Sequence, residues 1–197
     1  MIHILTVCTG NICRSPLAER LLRLRLGDDG VTVESAGTHA LVDHPMDPET
    51  TRLAVERGVP AADIAAHRGR WIRESHLVRP DLILAMSREH RRYVVELDPS
   101  RSSATFAIRE LARLAEPIPD IDLRRIADSA GSDARLRLKS LLAEISSRRG
   151  MASTIADPVH DDVIDPYRRS RETYEKSAAA LEPAVGHVVR VVRAALA

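Results

Sequence analysis

Residues 2–17 read IHILTVCTGNICRSPL, and this stretch decides the fold. Ile2 to Val7 is a short apolar, β-branched run of the kind that forms a strand buried on both faces. It ends in the turn Cys8-Thr-Gly-Asn, and Ser15-Pro16 then opens an amphipathic run to Gly27. Ser15 as N-cap, Pro16 at the first helical position and Gly27 near the far end are the punctuation of a helix. Leu17, Leu21 and Leu24, joined by Ala18 and Leu22, give that helix its apolar face. Strand, tight loop and helix follow one another without a gap.

The same unit recurs downstream. VTVESA (31–36) is a second strand ending at Gly37-Thr38, and Asp47-Pro48 opens a second helix. DLILAM (81–86) has strand length, and the helical run SREHRRYVVELDP after it closes before Pro99. TFAI (105–108) supplies a fourth strand. This alternation predicts an α/β fold, a parallel sheet with helices on both faces and a site at the strands' C-terminal ends. Beyond residue 115 the pattern changes. EPIPD breaks the chain, two helical stretches follow near 123–129 and 132–149, and 150–167 reads as a loop. From Arg169, the stripe Tyr174, Ala178, Leu181, Val185, Val188, Val192 and Leu196 marks a final amphipathic helix that Pro183 kinks or restarts.

The composition narrows the function classes. The chain has 197 residues, 44% hydrophobic and 29% charged, which suits one globular domain with a sizeable core. With 29 basic against 28 acidic residues there is no global field for nucleic acid or an anionic membrane, so any anion site is local. The N-terminus has neither the pattern of a signal peptide nor the length of a membrane span. The two cysteines, Cys8 and Cys13, are too close together for a structural staple, and the expected compartment is a reducing cytoplasm. The eight histidines show no metal-ligand spacing, so no metal is expected.

The chemistry concentrates in Cys8-Thr9-Gly10-Asn11-Ile12-Cys13-Arg14-Ser15. A loop entering a helix N-terminus aims backbone N–H groups at one point, where the helix dipole favours an anion. Arg14 can add two parallel charge-assisted hydrogen bonds to phosphate oxygens. The same positive surroundings favour Cys8 as a thiolate, the nucleophilic form. Gly10 lets the backbone curl close to a ligand, and Asn11 suits a left-handed turn position. Ser15 can donate to the Cys8 sulfur. Cys13 is either an apolar filler or the partner of Cys8 in a reversible, protective disulfide.

CTGNICRSPLAE, followed by ESAGT, DLILAM and a late Asp-Pro-Tyr, resembles the low-molecular-weight protein tyrosine phosphatase family. The resemblance covers residues 1 to about 115 and again about 157 to 197. It implies a four-stranded parallel sheet, no cofactor, and hydrolysis of phosphotyrosine in a protein or peptide through a phosphocysteine on Cys8. Arg14 would bind phosphate and Ser15 would support the leaving thiolate. Asn11, Ser35 and His67 match the positions that brace the loop. The family's acid is followed by Pro and an aromatic, with another aromatic nine residues on. Asp165, with Pro166, Tyr167 and Tyr174, satisfies this, whereas Asp157 does not. Asp157, Asp161 and Asp162 then read as a solvated acidic loop. Tyr167 would form one wall around the substrate ring, and Leu41 replaces an aromatic at the other. Arg168 and Arg169 would add a basic rim.

Ile12 is apolar where arginine phosphatases carry a small hydroxyl residue, which favours phosphotyrosine over phosphoarginine. Arsenate reduction on this fold would need an external thiol, since no cysteine follows Cys13. A non-catalytic anion-binding module would lack the nucleophile, the arginine or the acid, and all three are present. Residues from about 116 to 156 depart from the family as a helical insertion in an otherwise single phosphatase domain. Its Leu136, Leu138, Leu141, Leu142 and Ile145 form a broad apolar face. That face either extends the core or serves as a docking surface or cap.

Overall fold

Four parallel strands run through the computed structural model, which describes residues 1–27, 30–150 and 158–197. They are β1 (Ile2–Cys8), β2 (Val31–Gly37), β3 (Leu82–Ala85) and β4 (Thr105–Ala107), in the order β2-β1-β3-β4. Alternate side chains separate two cores, as a strand's twofold period requires. Ile2, Ile4, Leu82, Leu84 and Phe106 face the helices α1 (Arg14–Leu26), α5 (Ile108–Ala115) and α8 (Arg171–Leu196). On the opposite face Leu5, Val7 and Ile83 pack with Ile72, Leu77 and Val94, the last from α4 (Arg88–Leu97). The direction of winding reverses between β1 and β3, and in open α/β sheets ligands bind beyond the strand ends at that switch. Cys8 is the last residue of β1 and lies there.

Between β2 and β3 the chain forms α2 (Pro48–Glu56) and a five-residue helix, α3 (Ala61–Ala65), too short to leave a periodic signal in the sequence. Asp47 caps α2 by accepting hydrogen bonds from the Glu49 and Thr50 amides, as the Asp-Pro pair predicted. At α1 the expectation needs correction. The helix begins at Arg14 with Cys13 in the cap position, and Ser15 caps nothing because its side chain turns inward to the Cys8 sulfur. Leu24 is also off the buried face: Leu17, Ala18, Leu21 and Leu22 form the stripe, and Leu24 is exposed at its edge.

The insertion forms α6 (Asp120–Asp128) and α7 (Ala134–Ser147). Leu123, Ala127, Leu138, Leu141, Leu142 and Ile145 are buried in the same core as α5 and α8. Leu136 is not; it is 55% exposed on the outer side of α7. The α7 segment also holds the end of α8, because buried Arg137 donates to the Ala194 and Ala195 carbonyls at 3.2 and 2.9 Å. A helix leaves its last carbonyls without partners, so a cation there satisfies hydrogen bonds and the dipole together. Pro183 neither ends nor restarts α8, which runs unbroken through it. Pro183 and Ala179, whose carbonyl loses its intrahelical donor, are both exposed, so the missing bond falls on the solvent side of the helix. Leu196, the last residue of α8, is the one stripe residue left outside the core. Among the described residues no helix is long and apolar enough to cross a membrane.

Candidate active site

The loop after β1 is shaped by where its carbonyls go. Those of Cys8, Thr9 and Gly10 accept from the Thr38, His39 and Leu41 amides at 2.9–3.0 Å. The Asn11 carbonyl accepts from His67 Nε2 at 2.8 Å, and that of Ile12 from the Asp47 amide at 3.0 Å. The Cys13 carbonyl belongs to the first turn of α1, accepting from the Leu17 amide. In a trans peptide the N–H points opposite the C=O, so six outward carbonyls turn the amides of residues 9–14 to the other side. One is seen directly: the Asn11 N–H donates to Cys8 Sγ at 3.3 Å. The left-handed residue is Asn11, at φ 54°, and not Gly10, where a Cβ would meet only Ile12 at an ordinary 3.5 Å. Gly37 is the sterically required glycine, since a Cβ there would sit 2.4 Å from the Thr9 carbonyl oxygen.

Behind the loop lies a chain of buried polar groups. Asn11 Nδ2 donates to Ser15 Oγ at 3.0 Å and to Ser35 Oγ at 2.8 Å, while its Oδ1 accepts from the Arg70 amide at 2.9 Å. Ser15 Oγ is 3.0 Å from Cys8 Sγ, its nearest outlet for its own proton. Ser35 Oγ donates onward to Glu19 at 2.6 Å. Burial pushes the Glu19 carboxyl up against the opposing pull of Arg20, and burial pushes the His67 imidazole down. Cys13 is buried and free, and burial pushes its thiol up to about 12, so it remains a neutral filler in this arrangement.

Arg14 reaches across the loop. Its guanidinium donates to the Val163 carbonyl at 3.2 Å and Thr9 Oγ1 at 3.4 Å, and pairs with Asp165 at 2.7 Å. Its Nε is buried with no partner among the described residues. A buried charged donor left unpaired is costly, and an anion in the loop is the natural acceptor. Thr9 Oγ1 is also 2.8 Å from His90 Nε2, and His90 Nδ1 is 2.8 Å from Ser87 Oγ. His90 was not singled out from the sequence, although Ser87 three residues before it reads as a cap.

The segment bearing Asp165 is anchored from several directions. The Val163 amide donates to the Met86 carbonyl at 2.8 Å, just past β3, and Ser177 of α8 donates to the Ile164 carbonyl. Asp161 and Asp162 are not a solvated acidic run. Asp161 is buried in a two-bond pair with Arg113 at 3.1 and 3.0 Å, and Asp162 accepts from the Arg88 amide at 2.8 Å. Asp157, the other Asp-Pro aspartate, lies outside the described residues. Cys8, Thr9, Gly10, Ile12, Cys13, Arg14, Leu41, Asp165 and Tyr167 share one cavity of about 140 Å³. His39, unassigned from the sequence, lines it too. Ser35 and His67 stand behind the loop rather than in the cavity. Arg168, at φ 60°, places its guanidinium 5.1 Å from the centre of the Tyr167 ring. Among the described residues no three His, Cys, Asp or Glu side chains could hold a metal.

Comparison with known proteins agrees with this geometry. Residues 3–116 match the model of the low molecular weight phosphotyrosine protein phosphatase family. The low molecular weight protein-tyrosine-phosphatase Etp of Escherichia coli K12 is 44% identical over 117 residues, 59% of this chain and 75% of that protein. A protein-arginine-phosphatase of Geobacillus stearothermophilus is 35% identical over 108 residues, 55% of this chain and 70% of that protein. The crystal structure of the tyrosine phosphatase Wzb from E. coli K30 with sulphate superposes with a TM-score of 0.63 at 26% identity, covering 96% of this chain and 97% of that one. The sequence match stops where the insertion begins, while the structural match spans α8 and the Asp165 segment as well. The chain belongs to the low molecular weight phosphotyrosine protein phosphatase family.

Proposed function

We propose that this protein hydrolyses phosphotyrosine in proteins or peptides, with Cys8 as nucleophile, Arg14 as the phosphate-binding cation and Asp165 as general acid. One observation carries the reading: Cys8, Arg14 and Asp165 line one cavity, where the Asn11 amide donates to Cys8 Sγ, Arg14 Nε is buried without a partner among the described residues, and the Asp165 carboxyl is 2.7 Å from the same guanidinium. A phosphate dianion there competes with Asp165 for Arg14 and leaves the carboxyl beside the leaving oxygen. The Cys8 sulfur bonds to phosphorus as the bond from phosphorus to the tyrosyl oxygen breaks in line, and Asp165 gives that oxygen its proton. Water then attacks phosphorus and Asp165 takes a proton from it. The phosphorus–sulfur bond breaks and returns its electron pair to Cys8, which Ser15 Oγ receives as a donor at 3.0 Å. Arg14 and the loop amides hold the transferring group through both steps.

Thr9 to Cys13 complete the phosphate cradle, and Asn11, Ser35 and His67 keep it shaped through the bonds described above. Leu41 and Tyr167 would flank the ring. The working compartment in this reading is a reducing cytoplasm, where Cys8 stays a free thiol able to act as nucleophile. Phosphoarginine is the second reading, favoured by the relative named a protein-arginine-phosphatase. Ile12, 6% exposed at the cavity, argues against it by offering no hydroxyl to a guanidinium. Steady-state assays with phosphotyrosine, phosphoarginine and arsenate, with Cys8→Ser as control, test the assignment. Turnover of phosphotyrosine alone, abolished in Cys8→Ser, is expected; turnover that survives that substitution contradicts it.

A further inference from the structure

His39, which lines the cavity, also stands against two rings that phosphate chemistry does not use. The His39 imidazole, exposed and lining the cavity, lies 5.8 Å from the Trp71 ring and 6.0 Å from the Tyr93 ring, centre to centre. Trp71 is the chain's one tryptophan and is 44% exposed. Its backbone is rigid: it bridges to Gly37 at the end of β2, with Gly37 donating to the Arg70 carbonyl and Ile72 donating to that of Gly37, both at 2.9 Å. Tyr93 stands on α4 and packs against the second core. A half-exposed indole on an anchored backbone offers large contact area with few rotatable bonds to order, the property that makes such residues binding anchors.

We infer that Trp71, His39 and Tyr93 form a subsite for an apolar side chain flanking the phosphotyrosine of a substrate peptide. The inference rests on the phosphotyrosine reading above. Continuity fixes the occupant: a peptide whose phosphotyrosine fills the cavity leaves over its rim, and His39 belongs to both the cavity and the ring cluster. The step from His39 to either ring corresponds to about two residues of extended chain at ~3.3 Å each, and side chains two apart share a face.

The experiment compares the full-length protein and Trp71→Ala on p-nitrophenyl phosphate and on phosphotyrosine peptides differing only two residues from the phosphotyrosine, with Leu, Gly or Lys there. The wild type is expected to favour Leu over Gly by about five- to tenfold in kcat/KM, through KM. Trp71→Ala erases that preference and leaves p-nitrophenyl phosphate unchanged, while Trp71→Phe retains most of it. Equal rates on Leu and Gly peptides in the wild type overturn the subsite, as does a parallel loss on p-nitrophenyl phosphate in Trp71→Ala. A Lys peptide as good as the Leu peptide overturns its apolar character. A wild type that turns over p-nitrophenyl phosphate but no phosphotyrosine peptide sinks the phosphotyrosine reading itself, and the subsite with it.

Discussion

Asn11 ties the phosphate loop to the body of the protein through three side-chain hydrogen bonds made from a left-handed backbone position. Asn11→Ala removes all three and keeps the strained conformation, so it should lower the unfolding free energy by about 2–4 kcal/mol in urea titrations and cut kcat sharply. His90 makes a pH prediction. Burial and the neighbouring Arg14 cation push its imidazole down to about 4 from the ordinary 6.5. The unfolded chain therefore binds its proton first as pH falls. The stability that neutral His90 contributes is complete above about pH 6.5 and is lost toward pH 4, roughly 3 kcal/mol across the window. Unfolding free energy should fall more steeply from pH 6.5 to 4.5 in the wild type than in His90→Gln; equal slopes would contradict the assignment. The loop that carries Cys8, Asn11 and Arg14 was legible because all three fall within seven residues at one strand–loop–helix junction. His90 and Trp71 were not, because only folding brings positions near 70 and 90 to the loop.

At the level of elements, the loop and the Asp165 segment depend on caps and anchors. Asp47 caps α2 while its amide holds the Ile12 carbonyl, so Asp47→Ala should cost about 1 kcal/mol, read in the denaturation midpoint. Arg137 caps α8 from the insertion. Arg137→Met should destabilise the protein by about 2–4 kcal/mol while kcat and KM on a small aryl phosphate stay at wild-type values. The strands and the longer helices were readable from their apolar period, and the start of α2 from its Asp-Pro pair. The Ser15 cap misled because the same residue type that caps a helix also serves a buried thiol. The anchoring of the Asp165 segment was unreadable for another reason: Asp161 pairs with a residue 48 positions away, and nothing in an acidic run distinguishes a buried carboxylate from a solvated one.

Across the whole molecule, the insertion extends the core, with Leu123, Leu138, Leu141 and Leu142 buried in the cluster that α5 and α8 share. Leu141→Ala should therefore cost about 2–5 kcal/mol of stability and leave the ratio of rates on an aryl phosphate and a phosphopeptide unchanged. A changed ratio in the folded variant would instead give α7 a part in docking. The near-zero net charge conceals a site where one arginine, a ring of amides and one carboxyl are brought together from β1, α1 and the segment before α8. The proposed reaction draws on that convergence, and its covalent step can be watched. Asp165→Asn mixed with the phosphate ester of an activated phenol and quenched rapidly should accumulate phosphate on Cys8, because that ester needs no acid to leave while hydrolysis lacks its base; kcat/KM should fall about 10²- to 10⁴-fold on phenyl esters and be spared on activated ones. Phosphate on another residue, or none, with equal loss on both kinds of ester, would contradict the account.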